Sequence, residues 1–116
     1  MTISDRAIGD ITVIDVGGRV TIDDGADRFR DSVRALLREG RIKLVLNFKD
    51  GSYIDSTALG EIVRSYTSAM RKGGTVKLLS VPPRVHELLV VTKLVSVFDQ
   101  FDDEAEAIKS FGTALS

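Results

Sequence analysis

A chain of 116 residues can bury one core and is too short for two. Its 43% apolar and 28% charged content is that of an ordinary globular protein, and 16 Lys and Arg against 17 Asp and Glu create no field for nucleic acid or an anionic membrane. With no cysteine there are no disulfides, thiol nucleophiles or cysteine-ligated metals, and the single histidine, His86, leaves thin material for zinc binding or Ser-His catalysis.

Residues 1–6 lack the apolar centre of a signal peptide, and no apolar run reaches the ~18 residues of a membrane span. The expectation is an unanchored cytoplasmic protein that is not an enzyme and carries no cofactor or metal. Residues 1–116 are read as a single domain with its core at about 9–112, the first eight or so residues and 113–116 fraying at the ends.

Residues 11–16 read as a strand and 19–22 as a second, joined by a Gly17-Gly18 hairpin, since a Gly-Gly pair between β-prone runs suits a tight turn. Asp23, Asp24 and Gly25 open a helix that carries Ala26, Phe29, Val33, Leu36 and Leu37 on one face and stops at Gly40. Residues 42–48 are almost continuously apolar and β-forming, as in a strand buried inside a sheet. A polar loop over 49–55 leads into a helix over 56–72 with an apolar stripe of Leu59, Ile62, Val63, Tyr66 and Met70, ended by Gly73-Gly74. Residues 75–81 form the next strand, and Pro82-Pro83 starts a short helix bearing Val85, Leu88 and Leu89. A last strand is expected over 95–98. Asp102, Asp103 and Glu104 then place acidic groups at the start of a helix bearing Ala105, Ile108 and Phe111. This alternation predicts an α/β domain: one mixed, largely parallel sheet of four to five strands with about four helices.

In open α/β sheets, function gathers where the carboxyl end of a strand passes through a loop into a helix N-terminus. Here that passage reads K-D-G-S-Y-I-D-S-T-A-L-G, from Lys49 to Gly60, and puts Asp55 or Ser56 at the helix cap with Thr57 beside them. By position alone Ser56 is most simply a capping residue, one of the commonest roles of serine. Asp23, Asp24 and Asp55 lack the histidine or other base that would make paired carboxylates catalytic.

The order of elements, with D-S-T-A-L-G opening the second long helix, resembles the STAS domain of bacterial anti-sigma-factor antagonists over nearly the whole chain. Those proteins typically read Asp-Ser-Ser-Gly-Leu-Gly here, and Asp55, Ser56, Leu59 and Gly60 match in register. G-R-V-T at Gly18 to Thr21, Gly73-Gly74 and Pro82-Pro83 agree as well. The resemblance implies a STAS fold and a phosphoacceptor at Ser56. It implies a partner that is both anti-sigma factor and serine kinase, with a histidine-kinase-like ATPase fold. The unphosphorylated antagonist captures that kinase and frees the sigma factor; phosphorylation releases it, and a metal-dependent serine phosphatase resets the switch. Asp55, Thr57, Tyr53, Asp23, Asp24 and Leu59 are the expected partner contacts, with no direct nucleic-acid or membrane binding and a monomer or weak dimer as the working unit. Ala58 replaces the usual glycine, Thr57 the usual second serine, Gly51 an apolar residue, and Thr21 an aspartate that in relatives lines the site; Asp23 or Asp24 then stands nearest in sequence to replace it. The same domain also occurs as a cytoplasmic subunit of lipid-trafficking, ATP-driven transporters and in stressosome-like scaffolds. A lone domain that keeps the Asp55-Ser56 pair favours the antagonist.

Overall fold

The computed structural model describes residues 1–112. The expected fraying of 113–116 lies outside them. The elements in chain order are β1 (Thr2–Ile8), β2 (Ile11–Val20), α1 (Ala26–Arg38), β3 (Lys43–Asn47), β4 (Gly51–Ile54), α2 (Ser56–Arg71), β5 (Thr75–Leu79), α3 (Pro83–Val91), β6 (Gln100–Phe101) and α4 (Glu104–Lys109). One six-stranded mixed sheet runs β1-β2-β3-β5-β6, with β4 attached to the far end of β2. β1 is antiparallel to β2; all other pairings are parallel.

The alternation of side chains along the strands sorts them onto two faces. Ile14, Val16, Val20, Leu44, Leu46, Phe48, Val76 and Leu78 point to the face covered by α1, α2 and α3, where Phe29, Val33, Ile62 and Leu89 complete the main core. Ile11, Val13, Val45 and Leu79 point to the other face, where α4 packs Ala107 against them. In the first two helices, buried residues recur every three or four positions, as the sequence pattern requires.

Four expectations about the chain are corrected. Gly17-Gly18 is not a hairpin: β2 runs straight through it. Gly17 still pairs with Thr2, and Gly18, at φ 74, carries a register shift as β2 passes from β3 to β4. Glycine is needed there because the backbone enters the left-handed region, so the same residue that signals a turn serves as a bulge. The reversal lies earlier, at Gly9-Asp10, where Ile8 faces Ile11. The first eight residues are therefore not frayed but form edge strand β1, whose charged residues hid it from a hydrophobic reading. The loop over 49–55 contains β4, and the sheet has six strands rather than four to five. Finally, 95–98 is not a strand; β6 is the two-residue Gln100–Phe101, while Phe98 is buried edge-on against Tyr66 at 5.0 Å. Two smaller differences follow from helix phase: Met70 is exposed at the end of α2, and Ala107 rather than Ala105 faces the core from α4.

Candidate functional site

β4 delivers the chain directly into α2, and Asp55 is the hinge between them. Its carboxylate caps the helix, with Oδ1 accepting from the Ala58 N–H at 2.9 Å. The other oxygen, Oδ2, accepts from the Ile22 N–H at 2.9 Å, on the turn between β2 and α1. The Asp55 N–H donates to the Val20 carbonyl at 3.2 Å. One residue thus holds two turns that are far apart in sequence. Partial burial opposes ionisation of this carboxyl, yet the N–H groups of Ala58, Ile22 and Thr57 outweigh it and hold the pKa below the ordinary aspartate value.

Because Asp55 is the cap, Ser56 is not. It is the first residue of the helix, is exposed, and its hydroxyl makes no hydrogen bond among the described residues. The capping role expected for either residue falls to the carboxylate, leaving a hydroxyl at the positive end of the helix dipole.

The turn held by Asp55 runs through Thr21, whose N–H and C=O both bond Asp24, and whose carbonyl also accepts from the Ala26 N–H. Thr21 is buried, so it lies beneath the turn, whereas Asp23 and Asp24 are exposed on it. Asp24 accepts from the N-terminal ammonium of Met1 at 2.9 Å, which holds its carboxyl below the usual range. Thr57 is half-buried beside Ser56. Tyr53, opposite Arg19 in the β2–β4 pairing, has the Arg19 guanidinium 5.7 Å and the Arg84 guanidinium 5.1 Å from its ring centre. Leu59 is not a surface contact. It is 5% exposed, because its place on the apolar stripe of α2 turns it into the main core.

Two surface features escaped the sequence reading. Ile22, on the turn that Asp55 holds, is 66% exposed. Its signal was an apolar residue set between Thr21 and the Asp23-Asp24 pair, in a turn with no core to fill. On α3, Val91 is 77% exposed and lines a shallow hollow with Tyr53, Arg84 and Leu88. The run Leu88-Leu89-Val90-Val91 is too wide an apolar band for a helix that buries one face, which was the available clue. His86 is exposed on the same helix. Among the described residues no cluster of His, Cys, Asp or Glu is arranged to hold a metal ion, and no helix is long and apolar enough to cross a membrane.

A family model for the STAS domain matches residues 2–107. The chain belongs to the STAS-domain family. Among curated proteins, this STAS domain is 34% identical over 65 residues to the anti-sigma F factor antagonist of Paenibacillus polymyxa, a match spanning 56% of either chain. It is 29% identical over 86 residues to the anti-sigma-B factor antagonist of Bacillus subtilis, covering 74% of this chain and 77% of that one. Among solved structures, a Thermotoga maritima protein described as an anti-sigma factor antagonist superposes with a TM-score of 0.88 at 27% identity, over 93% of this chain and 92% of that one. The anti-sigma factor antagonist SpoIIAA in its unphosphorylated form superposes with a TM-score of 0.86 over 99% of this chain and all of that one; at 18% identity that likeness is one of fold. SpoIIAA has also been solved in a phosphorylated form, with a TM-score of 0.77 over 95% of this chain and 99% of that one, again at 18% identity.

Proposed function

We propose that this protein is an anti-sigma factor antagonist switched by phosphorylation of Ser56. The unphosphorylated chain binds an anti-sigma factor that is also a serine kinase, and the sigma factor is thereby freed. The kinase transfers the γ-phosphoryl group of ATP to Ser56 Oγ, ADP remains, and the modified antagonist leaves. A metal-dependent phosphatase hydrolyses the ester and restores the serine. This chain supplies the hydroxyl and the docking surface and performs no catalysis itself.

One observation carries the reading: the Ser56 hydroxyl is exposed and unused, because Asp55 has taken over the cap. Ile22, whose N–H is held by Asp55, is exposed together with Asp23 and Asp24 on the same turn, and on this reading they and Tyr53 on β4 are the groups a partner meets. The curated relatives named as antagonists support the same function.

Phosphate at this position adds about 1.5–2 negative charges and three acceptor oxygens. The helix N-terminus tolerates them, so the fold persists. A partner packed flush on this corner meets the new charge beside those of Asp23 and Asp55. Two unit charges ~4 Å apart repel by about 4 kcal/mol at an effective dielectric of about 20. Half of that already weakens binding more than tenfold, at about 1.4 kcal/mol per decade.

The test is a paired affinity isolation from the native host with wild type and Ser56→Asp as baits, followed by incubation of the captured partner with ATP and either wild type or Ser56→Ala. Recovery of a kinase-like ATPase by wild type alone, and phosphate on wild type but not on Ser56→Ala, is the expected result. Equal recovery of the same partners by both baits overturns the switch and returns Ser56 to an ordinary helix position.

A further inference from the structure

Helix α3 carries two stripes where folding needs one. Val85 and Leu89 face the main core. Arg84, Leu88 and Val91, at i, i+4 and i+7, share a second face that lines the hollow beside Tyr53, with Glu87 as the one acidic residue there. Val90, next to Val91, is 50% exposed, and Leu88 is half-buried. Single exposed valines are ordinary, but a contiguous set beside an aromatic ring marks a surface that meets another molecule.

This hollow is continuous with the Ser56 corner. α3 packs beside β4, the strand that leads straight to Asp55 and Ser56. Tyr53 is the shared wall, with the Arg84 guanidinium over its ring from α3 and that of Arg19 from β2. Arg19 also reaches the turn that Asp55 holds: behind the Met1 ammonium, and with Arg28, its charge keeps the Asp24 carboxyl below the usual range. Both arginines are exposed, and neither forms an ion pair among the described residues. Two guanidinium groups against Glu87 leave the hollow positive in a chain of net charge −1.

We propose, on the antagonist function set out above, that this hollow is the second half of the docking surface for the anti-sigma factor. An apolar side chain of that partner seats against Tyr53, Leu88 and Val91, and carboxylates flanking it meet Arg19 and Arg84. Guanidinium forks suit carboxylates, and such desolvated anchors carry most of an interface's affinity. The Ser56 corner then senses the phosphate, while the α3 hollow selects which anti-sigma factor binds. A second copy of this chain fits poorly, because a two-fold interface sets one patch against itself, positive on positive.

The test titrates the anti-sigma factor kinases of the native host, each purified, against the full chain. One is expected to bind wild type. Val91→Asp should weaken that complex about tenfold or more, and Arg19→Gln/Arg84→Gln should flatten its salt dependence. All three side chains are exposed, so circular dichroism should match wild type. In the phosphorylation assay the KM for Val91→Asp should rise with kcat unchanged, since the Ser56 hydroxyl is untouched. If both α3-side variants bind as wild type does while Ser56→Asp does not, the hollow is overturned and the switch stands. If Val91→Asp loses binding while Ser56→Asp keeps it, the hollow stands and the switch is overturned. A wild type that binds none of the kinases overturns both. Sedimentation of the chain, alone and with phosphatidylglycerol vesicles, covers the other occupants. A dimer, or vesicle binding, that Val91→Asp abolishes puts a second copy or a membrane in the hollow and overturns the proposal.

Discussion

Asp55 carries two bonds that serve different ends, the cap of α2 through Ala58 and the tie to Ile22 across 33 positions of sequence. Asp55→Ala removes both acceptors. A lost cap costs about 1 kcal/mol and the second bond about as much again, so urea unfolding at neutral pH should show a loss of about 2 kcal/mol. Asp55→Asn keeps one acceptor oxygen and should lose less. The pH dependence has a definite sign. The folded pKa of Asp55 lies below the unfolded one, so the unfolded chain binds the proton first. The stabilisation is complete above the unfolded carboxyl value of about 3.9 and disappears as pH falls through the lower folded value. The gap in stability between wild type and Asp55→Ala should therefore narrow under acid, as chemical unfolding from pH 6 downward would show. A gap that is constant with pH contradicts the ionic character of this cap.

Between elements, two contacts decide which helices stay in place. Gly74 joins α2 to β5, and a Cβ on it would fall on the Ile42 carbonyl, a backbone group unable to move aside. Gly74→Ala should cost about 1–3 kcal/mol by overpacking, read as a lowered melting temperature. On the opposite face, Lys77 is 8% exposed in the middle of β5. Its ammonium donates to the carbonyl and hydroxyl of Ser110, at 3.1 and 2.9 Å, and sits 4.5 Å from the ring centre of Phe111. Lys77→Met keeps the stem but drops the donor. Hydrogen exchange should quicken in α4 while the amides of β2 and β3 keep their protection; uniform acceleration would show that α4 is not a separable unit. This level also shows what the sequence made legible. The apolar stripes of α1 and α2 and the unbroken run at 42–48 were readable because each buries one face or both. β1 and β4 were not. β1 is a polar edge strand, and β4 is a four-residue strand whose pairing with β2 arises from a tertiary contact rather than a periodic pattern. The candidate site was legible in its residues and not in its division of labour: Asp55 and Ser56 stood out by position, but which one caps depends on backbone angles that the letters do not carry.

Across the whole molecule, the longest-range polar link is the one made by Arg6. Its guanidinium grips both oxygens of Asp15, at 2.7 and 3.0 Å, and both of Glu104, at 2.7 and 3.1 Å, while Asn47 donates to Asp15 at 2.8 Å. Strands β1, β2 and β3 are thus joined to α4 through exposed charges. Exposure limits their worth, so Arg6→Ala should cost about 0.5–1 kcal/mol, less in high salt, when melting is compared at low and high ionic strength. A salt-independent loss would mean that packing, not charge, is the contribution of Arg6. The main core stands apart from this network, on the other face of the sheet, and so does the Ser56 corner, stapled by Asp55 to the β2–α1 turn. That staple bears on timing. A corner already held at both ends has no slow rearrangement of its own to wait for. Free surface loops relax within nanoseconds to microseconds, and this one has less to do than they have. On the switch proposed above, the delay between phosphorylation of Ser56 and its effect is then set by how long the partner lingers, and the signal would pass at the speed of dissociation.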